Sequence, residues 1–76
     1  MMRRYTIILE EDSEEDGYTV TVPILPGCIT QGDTVEQCIE RAREAIGGYV
    51  ENLRVTGELV PEEKEHPRMI TINVDV

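Results

Sequence analysis

The chain is short of the residues that usually carry chemistry. Among its 76 residues there is one histidine, His66, and only two cysteines, Cys28 and Cys38. Two cysteines are too few for the disulfide frameworks of small secreted domains. Long apolar runs are missing near the start as well. Met1-Met2-Arg3-Arg4 leads into Tyr5-Thr6-Ile7-Ile8-Leu9 and then into acids, a stretch too short for a signal-peptide core or a bilayer span. A reducing cytoplasm is the expected location, with no membrane association. Positive charge is also scarce, with 7 basic residues against 16 acidic ones and a formal net charge of -9. Along the chain the basic residues are scattered as Arg3, Arg4, Arg41, Arg43, Arg54, Lys64 and Arg68. Binding a phosphate backbone requires clustered Lys and Arg that displace counterions, so direct nucleic-acid binding is not expected. The complement of such a chain is a basic protein, since opposite fields speed encounter and penalise wrong partners. Acidity that merely keeps a small protein soluble is the plainer alternative.

What is present is a regular alternation of apolar and polar residues. Tyr5, Ile7 and Leu9 alternate with Thr6, Ile8 and Glu10, and Tyr18, Val20 and Val22 alternate with Thr19 and Thr21. Both stretches have the two-residue period of a strand with one apolar face. The polar segment Glu11-Asp12-Ser13-Glu14-Glu15-Asp16-Gly17 between them suits a hairpin loop. Pro23 stops the second strand, and Pro26-Gly27 fits a type II turn, with Pro setting the first torsion and Gly supplying the positive φ that follows. Cys28 to Gln31 reads as a short third strand, ended by Gly32.

A helix follows. Asp33 or Thr34 can cap it, and Glu36 and Gln37 stand three residues after each, as in a capping box. Val35, Cys38, Ile39, Ala42, Ile46, Tyr49, Val50 and Leu53 recur at steps of three and four and form one stripe. Gly57 is the expected stop. Gly47-Gly48 sits mid-helix, where each glycine costs roughly 1 kcal/mol relative to Ala; either the helix bends there or something packs close against its backbone. After a charged connector ending at Pro67, Met69 to Val76 alternates Ile70, Ile72, Val74 and Val76 with Thr71, Asn73 and Asp75, as a last strand would.

The expected architecture is α+β: a single two-layer domain over residues 1–76, ordered β-β-β-α-β, with one helix packed on a mainly antiparallel sheet. So small a domain buries little apolar surface per residue. A homodimer or higher oligomer is therefore expected to complete the burial.

Two chemical constellations are not expected, the first on spacing and the second because it would require a coincidence of folding. Asp12, Glu14, Asp16 and Gly17 match the early positions of an EF-hand-like calcium loop, but the position that should hold a bidentate Glu is Pro23. A Cys-His pair would need Cys28, expected to be partly exposed after its turn, to meet His66 in the connector; Cys38 belongs to the helix stripe as a core residue. No metal or cofactor site is expected.

The run Val22-Pro23-Ile24-Leu25-Pro26-Gly27-Cys28-Ile29-Thr30-Gln31-Gly32-Asp33-Thr34-Val35-Glu36 resembles the signature region of the HicB antitoxin family. The likeness extends through Ala42-Arg43-Glu44-Ala45-Ile46, Glu51 and Gly57-Glu58-Leu59-Val60-Pro61, and includes Gly17-Tyr18 after the acidic loop. One departure is Glu63, where family members often carry a second proline. The resemblance implies a partly degraded ribonuclease-H-like fold without nuclease activity. It also implies a partner, a small basic HicA-type mRNA-cleaving toxin. The hairpin acids Glu11, Asp12, Glu14, Glu15 and Asp16 would then face that partner. Members usually append a DNA-binding domain, which a chain ending at Val76 is expected to lack. An orphan homo-oligomer without a toxin, or a residual metal-dependent nuclease, are the other readings. The nuclease needs converging carboxylates, whereas Glu10, Glu36, Glu40, Glu44 and Asp75 all fall on polar faces.

Overall fold

The computed structural model describes residues 2–76. Three strands, β1 (Ile8–Glu11), β2 (Tyr18–Thr21) and β3 (Ile29–Gly32), precede one helix, α1 (Val35–Val55). The strands form an antiparallel sheet in the order β1-β2-β3. In register, Leu9, Val20 and Thr30 share one row and Ile8, Thr21 and Ile29 the next. The Leu9–Val20 row faces α1, so Val20 is fully buried, while Ile29 on the opposite face is exposed.

β1 is shorter than the alternation suggests because β2 leaves it early. Pro23 has no N–H to continue a ladder. Two linked turns follow instead, with the Leu25 amide donating to Val22 O (3.0 Å) and the Cys28 amide to Leu25 O (3.0 Å). Gly27 has a φ of 80°, as the expected type II turn requires. The turn folds Leu25 and Cys28 inward beside Val22, and all three are buried. Cys28 is thus not partly exposed, as its place after a turn suggested: it is 5% accessible, and burial pushes its thiol above the ordinary value.

Thr34 is the N-cap, its hydroxyl accepting from the Gln37 amide at 3.1 Å. The Gln37 side chain returns to accept from the Asp33 amide, so both residues read as possible caps take part. At the other end the Glu58 amide donates to Leu53 O and the Gly57 amide to Arg54 O, the paired bonds of a Schellman stop. α1 packs chiefly on β3 and more lightly on β2. Cys38 and Ala42 join Val20 in one cluster, and Ala45, Ile46 and Tyr49 pack on the second cluster of Val22, Leu25 and Cys28. Val35 and Ile39, at the start of the stripe, remain exposed. The Tyr49 hydroxyl ties the helix to the turn by donating to Pro26 O at 2.7 Å.

Residues 69–76 do not form a fourth strand within this chain. Met69, Ile70, Ile72, Val74 and Val76 are all exposed. A strand has no stable form without a paired edge, and this segment meets none here. The radius of gyration, 14.3 Å, exceeds the roughly 11 Å of a compact domain of this length, as a projecting segment requires. The connector before it is held: the Tyr5 hydroxyl donates to Pro61 O (3.0 Å), and the Thr6 amide and hydroxyl donate to the Glu63 carboxylate (2.8 and 2.7 Å).

Candidate functional site

The hairpin loop between β1 and β2 is closed by the Asp12 amide, which donates to Gly17 O. Within it, Asp12 Oδ1 accepts from the Glu14 and Glu15 amides at 2.9 and 3.3 Å, an Asx turn that orders a run of acids. Gly17 sets the loop against the sheet: a Cβ there would lie 2.8 Å from Gly32 O. Gly32 in turn admits the helix, since its Cβ would stand 2.9 Å from both the amide nitrogen and Sγ of Cys38. Gly32 is the last residue of β3, where the strand ends as expected, and its missing side chain lets the helix approach the strand closely.

These contacts bring the loop to the N-terminal end of α1. Glu11, Asp12, Glu15, Asp16 and Asp33 line a shallow depression, continuous with a concavity of about 230 Å³ that reaches Gln31, Gln37 and Arg41. All five acids are exposed. Of the acids expected to face a partner, Glu11, Asp12, Glu15 and Asp16 share this depression, while Glu14 is exposed but does not line it. Asp33, a helix-cap candidate in the sequence, joins them. The pairing of Tyr18 with Gly32 is what places it beside the loop. The arrangement offers a dense negative field with a single cation at its margin, suited to receiving a basic surface.

Positive charge is gathered too, which corrects its scattered appearance along the chain. Arg3, Arg4, Arg43 and Arg54, four of the seven basic residues, line one groove with Tyr5, Ile46, Gly47 and Val50. The molecule therefore has an acidic end at the start of α1 and a basic groove along its C-terminal half.

The remaining candidates separate. Cys28 lies in the core, whereas His66 is exposed, its Nδ1 3.0 Å from Glu63 Oε2 and 3.3 Å from Thr6 Oγ1. Glu10, Glu36, Glu40, Glu44 and Asp75 are all exposed, and among the described residues no group of three or more His, Cys, Asp or Glu side chains is arranged to hold a metal ion. Among the same residues no helix is long and apolar enough to cross a membrane. Glu63 is the perturbed acid. Its side chain is 2% exposed, and burial works against its charge. Hydrogen bonds from Thr6 and His66 more than offset that, holding its carboxyl below the ordinary value.

Residues 5–73 match the family described as the HicB-like antitoxin of bacterial toxin–antitoxin systems. A UPF0150 protein of Thermoplasma acidophilum is 44% identical over 61 residues, covering 79% of this chain and 86% of that protein. A UPF0150 protein of Synechocystis is 42% identical over 59 residues, covering 78% and 73%. Antitoxin HicB 1 of Photorhabdus laumondii is 46% identical over 43 residues, covering 57% of this chain but 27% of that protein. On a match that spans most of its length, this chain belongs to the HicB-like antitoxin family.

Proposed function

We propose that this chain is a non-catalytic binding module that masks a small basic HicA-type mRNA-cleaving toxin in the cytoplasm, and that it works as a homodimer or higher oligomer. The carrying observation is the gathering of Glu11, Asp12, Glu15, Asp16 and Asp33 around one depression in a member of an antitoxin family. Clustered like charges on a rigid base raise the local potential, which speeds capture of an oppositely charged protein and weakens with salt. No side chain here needs to transfer a proton or hold a metal; covering the toxin's active surface is sufficient.

Oligomer formation is supported by the balance of apolar surface. Among the described residues, eleven large apolar side chains are exposed, against seven hydrophobic residues in the core. That same balance favours, as a second reading, an orphan domain that only self-assembles. Co-expression with the basic protein of about 60–80 residues expected from a neighbouring gene, on the charge logic above, separates the two. The antitoxin reading expects growth to be rescued and the two proteins to co-purify. Absence of both, with the oligomer intact, would leave the orphan reading.

A further inference from the structure

The basic groove is built for an occupant that the single chain does not supply. Its volume is about 610 Å³, and its apolar floor of Tyr5, Ile46 and Val50 lies between the segment leading into β1 and the C-terminal half of α1. Gly47 opens onto it, and nothing stands within 4 Å of where a Cβ would be. A glycine mid-helix costs roughly 1 kcal/mol relative to Ala, and no contact within this chain explains it. Arg3 is mostly covered, at 24% exposed. Its Nε has no hydrogen-bond acceptor among the described residues, and Nη1 reaches only Glu62, as an ion pair at 3.3 Å without hydrogen-bond geometry. The groove thus has an apolar floor, an open glycine and donors that need acceptors.

We infer that Met69–Val76 of a second copy lies in this groove as an added strand beside Met2–Tyr5. This rests on the proposed homo-oligomer and names its surface. Ile70, Ile72, Val74 and Val76 share one face of an extended chain and are each more than 60% exposed in the single copy. Laid in the groove, they cover the half-buried Tyr5 and Ile46, while the strand's carbonyls offer acceptors to Arg3. The segment's one charged side chain, Asp75, is opposite in sign to the four arginines at the rim. Its reach suffices: eight extended residues span about 26 Å, against about 16 Å of helix from Arg43 to Arg54. Exchange in both directions gives a closed two-fold dimer.

The test mixes two single variants, Gly47→Cys in one chain and either Ile72→Cys or Val74→Cys in the other, and oxidises them gently. Sedimentation of the unmodified chain and of Ile72→Asp and Val74→Asp runs alongside. The segment lies outside the core of the single chain, so these aspartates leave the helical circular dichroism unchanged. The inference expects a dimer, a mixed disulfide between the two chains, and a dimer weakened about tenfold or more by each aspartate. A dimer with no mixed disulfide and no response to the aspartates would overturn the strand exchange and leave the oligomer standing. A monomer at high concentration would overturn both. A groove that instead holds an oligonucleotide, released by Arg43→Glu, with no segment-dependent dimer, would also overturn it.

Discussion

Glycines at equivalent-looking positions do opposite things in this chain. Gly32 is buried, with the Cys38 backbone and sulfur where its Cβ would be, whereas Gly48 faces open space on α1. Gly32→Ala is therefore expected to destabilise the fold by about 1–3 kcal/mol through overpacking, while Gly48→Ala is expected to stabilise it by up to about 1 kcal/mol. Urea titrations of the two variants check both signs. Neither difference was legible in the sequence, where Gly32 looked like a strand stop and Gly47-Gly48 a single feature, because only the packing assigns each glycine a neighbour. Glu63 gives a pH signature. Its carboxyl lies below the ordinary value of 4.5 in the folded chain, so the folded state binds fewer protons there than the unfolded state. The stability this contributes is fully present above the ordinary value and is lost as pH falls through the lowered one. The stability gap between the parent chain and Glu63→Gln, followed by urea midpoints from pH 7 downward, is expected to hold to about pH 5 and then narrow. A gap independent of pH would show that the contacts with Thr6 are not charge-dependent.

The secondary-structure elements were mostly readable because their signals are local. The cap at Thr34, the turn at Pro26-Gly27 and the stop at Gly57 each depend on residues within five positions of one another, and each formed as the sequence indicated. Thr34→Ala removes the hydroxyl that satisfies the Gln37 amide and is expected to cost about 1 kcal/mol, read as a lower thermal midpoint with unchanged helix content. The fate of segment 69–76 is not local, for the converse reason. Its alternation is that of a strand, but a strand exists only with a paired edge, and alternation says nothing about which chain provides one. Cys28 was misjudged similarly: turns usually lie at the surface, yet here two linked turns fold back on the core and carry the thiol with them. Cys28 is accordingly expected to react with a thiol reagent only as fast as the protein unfolds, both because it is covered and because burial raises its pKa.

At the scale of the whole molecule, net charge hid a division. Within an overall charge of -9, five of the sixteen acids gather at the start of α1 and four arginines line a groove along its far half. The acidic end was partly visible in the run from Glu11 to Asp16. The basic groove was not, because residues 3, 4, 43 and 54 meet only once α1 crosses beside the N-terminal segment. In the proposed function and the proposed strand exchange, the two regions serve different partners, a basic protein at one and an apolar strand at the other. Binding of a toxin and self-assembly are then separable by substitution. The most direct measurement is calorimetric titration of the chain with a basic HicA-type protein, at low and high salt, beside a variant carrying Glu11→Lys, Glu15→Lys and Asp16→Lys. The expected result is binding that weakens with salt and falls at least about a hundredfold in the variant. No heat of binding, or an affinity indifferent to both salt and charge reversal, would contradict the account.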